Sequence, residues 1–131
     1  MNDVFLSVVI VAIIAQFMKW VLSNFSFREL LATGGMPSTH SAIVTALLIS
    51  SYLETGFSAI TGICLALFII VIRDAFGVRR TAGEEGKAIN KMIILQKLRL
   101  KKVEYALGHK PTEVIVGLVL GILVSIFIYL L

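Results

Sequence analysis

Four apolar runs divide the chain: Val4 to Leu22, Ser41 to Leu53, Phe57 to Ile72 and Val114 to Leu131. The first carries Gln16 and Lys19 among its apolar residues and is long enough for one membrane span if Lys19 lifts its ammonium to the near interface. The second is short for a lipid-facing helix and rich in Ser, Thr and Ala. Small hydroxylated residues allow close helix packing in a membrane, so this run is expected inside the bundle. Glu54-Thr55-Gly56 is a tight turn into the third run, which ends at Arg73-Asp74. In the fourth, Gly117 and Gly121 form a small-xxx-small face for helix contact. One long polar region remains, Gly77 to Lys110. Its first part, Gly77–Gly86, is rich in glycine and charge and reads as a loop. Its second part, Lys87 to Leu107, sets Ile89, Met92, Ile93, Leu100, Val103 and Leu107 among many basic residues, a spacing that predicts an amphipathic helix on the membrane. The expected fold is all-α: one integral membrane domain over 1–131, with about four transmembrane helices plus one amphipathic helix on the cytoplasmic face.

Composition agrees. Of 131 residues, 58% are hydrophobic and 15% charged, too apolar for a soluble domain of this size. The single cysteine, Cys64, excludes an internal disulfide and reads as packing. Met1-Asn2-Asp3 lacks the basic start of a signal peptide, and the run behind it exceeds a signal core, so it reads as a retained anchor. With four crossings, all twelve Lys and Arg fall towards one face, where spans one and three end and spans two and four begin. The opposite face holds Asp3 and Glu54. The positive-inside rule makes the crowded face cytoplasmic and puts both termini outside, as expected of a multi-pass protein of a bacterial plasma membrane. Topology thus accounts for the basic charge, and no nucleic-acid motif accompanies it.

The chemistry concentrates on that face. Gly34-Gly35-Met36-Pro37-Ser38-Thr39-His40-Ser41-Ala42 reads as a helix start: flexible glycines, a proline suited to the first turn, then side chains that hold or move a proton. Free N–H groups at such a start favour an anion such as phosphate, with Ser38, Thr39 and His40 at the rim. The plainer reading is a helix cap beside an interfacial histidine. The second histidine, His109, precedes another proline-marked start, Gly108-His109-Lys110-Pro111-Thr112-Glu113. If Pro111 begins the helix, Glu113 lies one turn in and reaches back to the imidazole. A carboxylate on one ring nitrogen fixes the tautomer and makes the other a better base or nucleophile. The plainer reading of Glu113 is a complement to the helix N-terminus. Two histidines among converging cations are what phosphoryl transfer needs: cations hold the equatorial oxygens, one histidine attacks phosphorus and the other protonates the leaving oxygen.

Pro37-Ser38-Thr39-His40 and His109-x-x-x-Glu113, in this order, resemble motifs two and three of the type 2 phosphatidic acid phosphatase superfamily, which includes vanadium haloperoxidases. Asp74-Ala75-Phe76-Gly77-Val78-Arg79-Arg80-Thr81-Ala82-Gly83, with Gly108-His109-Lys110-Pro111-Thr112-Glu113-Val114, resembles its small, divergent bacterial branch. The resemblance implies His109 as the nucleophile forming a phosphohistidine, Glu113 as its orienting acid, His40 as the acid for the leaving group, and Ser38 as a phosphate ligand, with Thr39 in place of the usual glycine. Motif one usually reads Lys-x6-Arg-Pro; here Lys19 and Arg28 stand nine apart and Glu29 replaces the proline. Val103 stands where motif three has its arginine, and Arg79 and Arg80 are the candidates to replace it by charge and location. The resemblance further implies a lipid phosphate substrate, phosphatidylglycerophosphate or phosphatidic acid before undecaprenyl pyrophosphate, with no obligatory metal or other cofactor. Usual members have more spans, so the pocket is expected to be smaller or completed by a second subunit in a homodimer. Two alternatives stay open: a Mg²⁺-dependent enzyme using Asp74, Glu84 and Glu85 through oxygen ligands, and an inactive lipid-binding or scaffold protein that kept the fold.

Overall fold

The computed structural model describes residues 3–25, 35–105 and 109–131, and of Arg79 and Arg80 the backbone alone. Among these residues the structure is all helix, without a strand: α1 (Asp3–Leu22), α2 (Thr39–Thr55), α3 (Ala59–Phe76), α4 (Val78–Leu95) and α5 (Pro111–Tyr129). α1, α5 and the stretch that begins with α3 are long and apolar enough to cross a membrane. The chain is a helical membrane bundle.

α2 is the shortest helix, at 17 residues, and it is the axis of the bundle, packed against α1, α3 and α5. Its composition explains that place. Ser41, Ala42, Thr45, Ala46, Ser50 and Ser51 are all buried. The Thr45 hydroxyl donates to the Ser41 carbonyl at 2.6 Å and the Ser50 hydroxyl to that of Ala46. Hydroxyls satisfied by their own helix add no unpaired donor to an apolar interior, and their small size lets neighbours approach.

α5 approaches most closely. A Cβ on Gly117 would lie 2.5 Å from the Ser38 carbonyl oxygen, and one on Gly121 would lie 2.6 Å from that of Ala42. One turn further, the Ser125 hydroxyl donates to Ala46 O at 3.2 Å and to Gly121 O at 2.8 Å. These contacts advance in the same direction along both helices, so α2 and α5 run parallel with their N-termini side by side. α1 runs the other way. Its buried positions Ser7, Val11, Ala15 and Lys19 recur every four residues as one stripe. Val11 and Ala15 meet Ala42, Ala46, Val124 and Ile128 in the core. α3 lies outermost, burying Thr61, Cys64 and Ala75 while Ile60, Ile63, Ile69 and Ile70 face outward. That is expected of a helix whose remaining surroundings are lipid.

The polar region departs from the sequence expectation. Gly77–Gly86 is not a loop: helix begins at Val78, directly after a break at Gly77, and ends at Leu95 instead of Leu107. Residues 98–105 are not helical and run back along α4. The glycines read as loop-formers have a packing role. Gly83, Gly86 and Ile93 form the buried stripe of α4, and a Cβ on Gly86 would lie 2.6 Å from Tyr105 Cβ. Asn90 completes the closure, its Nδ2 donating to Val103 O and its Oδ1 accepting from Val103 N, both at 2.8 Å. The turn is made at Lys97, with φ of 51°.

Candidate functional site

The parallel pairing of α2 and α5 brings both proline-marked motifs to one end of the bundle. Pro37 is not in the first helical turn, as the sequence suggests; it precedes the cap, and its peptide bond with Met36 is cis. Ser38 is the N-cap. Its Oγ accepts from the Ser41 N–H at 3.4 Å and from the Ser41 hydroxyl at 2.9 Å. Ser38 is fully buried and so lies beneath the rim, with Thr39 half-buried and His40 exposed above it. The Ser38 N–H donates to the Glu113 carbonyl at 2.9 Å, which ties the first motif to the second through the backbone. Gly117 makes this possible, because any side chain there would meet Ser38 O.

On the α5 side, Pro111 is the first helical residue and Glu113 the third, as the sequence predicts. One carboxylate oxygen of Glu113 serves two partners. It accepts from the Lys110 backbone N–H at 3.1 Å and lies 3.1 Å from His109 Nδ1. Glu113 thus caps the helix and at the same time lies against the imidazole. With Nδ1 against the carboxylate, Nε2 is the nitrogen left for other chemistry. The His109 side chain is 6% exposed, and its ring centre is 6.4 Å from that of His40, tilted by 60°. The histidines stand 69 positions apart in sequence and meet here.

Lys19 reaches the same end of the bundle. It is 6% exposed, and a Cβ on Gly35 would lie 3.0 Å from its Cε. Gly35 has φ of +88°, a backbone conformation that favours glycine there. Lys19, Ser23, Asn24, Gly35 and Met36 line a cavity of about 510 Å³. Of the other candidate residues, Arg28 lies outside the described residues, as does Gly34, and Arg79 and Arg80 fall in the first turn of α4 with their side chains outside the description. Asp74 is half-buried in the last turn of α3, and Glu84 and Glu85 are exposed on α4. Among the described residues, no three His, Cys, Asp or Glu side chains come together in a group able to hold a metal ion.

The model of the Divergent PAP2 family matches residues 1–124 of this chain. The chain belongs to that family. It is also similar to an uncharacterised membrane protein, YuiD, of Bacillus subtilis (strain 168), with 37% identity over 95% of this chain and 92% of that protein. No solved structure matches. Membership in the Divergent PAP2 family and the apolar helices together make this a PAP2-related protein of the membrane. Sequence reasoning had missed the contacts that build the site. Neither the Ser38–Glu113 backbone bond nor the Asn90–Val103 pairing leaves a local signal, because each joins segments that are remote in sequence or change direction at an unmarked turn.

Proposed function

We propose that this Divergent PAP2 protein is a lipid phosphate phosphatase that works through a phosphohistidine on His109. The observation that carries the reading is the meeting of His40, His109 and Glu113: ring centres 6.4 Å apart, with a carboxylate oxygen 3.1 Å from His109 Nδ1. The two rings stand side by side at the paired N-termini of α2 and α5, so one phosphoryl group can engage both. In this reading the two histidines take the two proton and phosphoryl roles on one substrate. His109 Nε2 attacks phosphorus, the P–O bond to the lipid breaks, and His40 gives its proton to the leaving oxygen. Water then attacks the phosphohistidine, its proton passes to His40, and inorganic phosphate leaves. Glu113 accepts from Nδ1–H throughout and stabilises the charged ring. The paired N-termini of α2 and α5 point their dipoles at the same anion, and Lys19, Arg28, Arg79 and Arg80 are the cations proposed to hold its oxygens. Buried Ser38 is proposed to act mainly by capping α2 beneath the phosphate.

Lys19, Arg73 and Lys110 lie at this end of the helices, which by the positive-inside rule supports a cytoplasmic site. A cytoplasmic site favours substrates made there, phosphatidylglycerophosphate and phosphatidic acid first. The test is phosphate release by the purified protein in detergent from these two lipids and from undecaprenyl pyrophosphate, with and without EDTA, beside His40→Ala and His109→Ala. The reading expects EDTA-resistant release that both substitutions abolish. Release that survives His109→Ala overturns the nucleophile. Release lost only to EDTA moves the chemistry to a metal and to Asp74, Glu84 and Glu85.

A further inference from the structure

The hairpin made by α4 and its return segment leaves one surface unexplained. On the buried stripe of α4, Gly86 lies against Tyr105 of the returning chain, and the Ile93 carbonyl accepts from Leu98. Backbone bonds at the turn close the hairpin: Lys97 N–H to Ile94 O at 3.2 Å and Leu98 N–H to Ile93 O at 3.0 Å. What remains at the tip is Leu95-Gln96-Lys97-Leu98-Arg99-Leu100-Lys101-Lys102, four cations and three leucines in eight residues with no acid among them. The leucines are not folded inward. Leu95 is 70% exposed and Leu100 63%, with Leu98 also exposed. α4 makes its helix contacts with α3, and none with α5, so the tip is carried clear of the bundle. Yet it leaves from the end of α3 and returns to His109, so it stands on the charged face of the membrane domain.

We infer that this tip is a docking surface for the anionic leaflet of the bilayer, with Leu95, Leu98 and Leu100 entering the headgroup–acyl boundary and Lys97, Arg99, Lys101 and Lys102 against lipid phosphates. Charge complementarity selects this occupant. Four cations in six residues, with Glu104 as the nearest acid in sequence, repel a second copy of the same tip and attract a negatively charged surface within a Debye length. The leucines supply the apolar contact that makes such binding stable. Asn90 and Gly86 give the arrangement a purpose. By holding residues 103–105 along α4, they make the hairpin one unit, so that seating its tip on the leaflet sets where the chain re-enters the site four residues after Tyr105.

Site-directed spin labelling of the full chain tests this. Cys64→Ala removes the native thiol and Leu100→Cys carries the label, with the protein reconstituted into phosphatidylglycerol or phosphatidylcholine vesicles. In phosphatidylglycerol the label is expected to collide more with oxygen than with an aqueous nickel chelate. In phosphatidylcholine, in about 1 M salt where the Debye length falls to about 3 Å, or with Lys97, Arg99, Lys101 and Lys102 all changed to Gln, that preference should be lost. A label that is aqueous in both lipids overturns the proposal. A label shielded in both, indifferent to salt and to the four substitutions, also overturns it and marks a protein contact instead. Far-UV circular dichroism confirms that each variant is folded. No phosphate release enters the readout, so this surface and the phosphatase reading stand or fall separately.

Discussion

Changing Gly121 to Ala is the sharpest probe of the packing that makes the site. The added Cβ would lie 2.6 Å from Ala42 O, 2.7 Å from Thr45 Cβ and 3.0 Å from Ala46 N. Carbon atoms in good contact sit about 3.5–4.0 Å apart, so α5 would have to withdraw from α2 by on the order of 1 Å. Two of the three neighbours are backbone atoms of the central helix, which no rotamer change can move aside. Alanine also brings an opposing gain of about 1 kcal/mol in helix propensity. Overpacking typically costs about 1–3 kcal/mol, so the balance is a loss of up to about 2 kcal/mol. Gly62 provides the reference. It is interior to α3, and a Cβ there meets nothing within 4 Å. Gly62→Ala should therefore stabilise by up to about 1 kcal/mol. Unfolding of both variants in a graded detergent mixture, followed by far-UV circular dichroism, gives the comparison. Gly121→Val, with two more carbons in the same gap, should lose at least about 3 kcal/mol. If Gly121→Ala is stabilised as much as Gly62→Ala, the close α2–α5 contact is wrong.

Three further outcomes follow from the site. Gly117→Ala pushes on the Ser38 carbonyl, so it should reduce phosphate release more strongly than Gly121→Ala at similar stability, measured by turnover and unfolding on the same preparations. Glu113→Gln keeps an acceptor for the Lys110 N–H but removes the carboxylate from His109; release should fall by on the order of 10²–10⁴, with the unfolding midpoint nearly unchanged. Asn90→Ala removes two exposed hydrogen bonds worth about 0.5–1.5 kcal/mol each; hydrogen exchange should show the Val103 amide losing protection while the core amides of α2 keep theirs.

The helices were legible because each apolar run is bounded by its own signals. Pro111 opens α5 and Gly56, with φ of 63°, closes α2, so boundaries fell within a few residues. The hydroxyl-rich second run could be placed inside the bundle because small side chains and internally bonded hydroxyls suit that place. The His109–Glu113 contact was legible for a local reason, the four-residue spacing at a helix start. The meeting of His40 with His109 could be expected only from counting spans, and the two glycines at 117 and 121 draw their helices into register. The region after Gly77 misled because glycine has two uses. In a polar run it signals a loop, but Gly83 and Gly86 lie on one helix face, and Tyr105, which Gly86 accommodates, arrives from later in the chain. Basic residues among leucines continue the helical pattern to Leu107, whereas the left-handed Lys97 ends it. Nothing local marks a lysine as a reversal.

The phosphohistidine itself is the most direct test. The purified protein is mixed briefly with phosphatidic acid labelled in the phosphate, quenched in alkali, which preserves phosphohistidine, and digested for peptide analysis. The account predicts label on the peptide that contains His109, lost on acid treatment, absent from His109→Ala and accumulated in no other position. Turnover of the same lipid with no label on His109, or label that persists in His109→Ala, would contradict it.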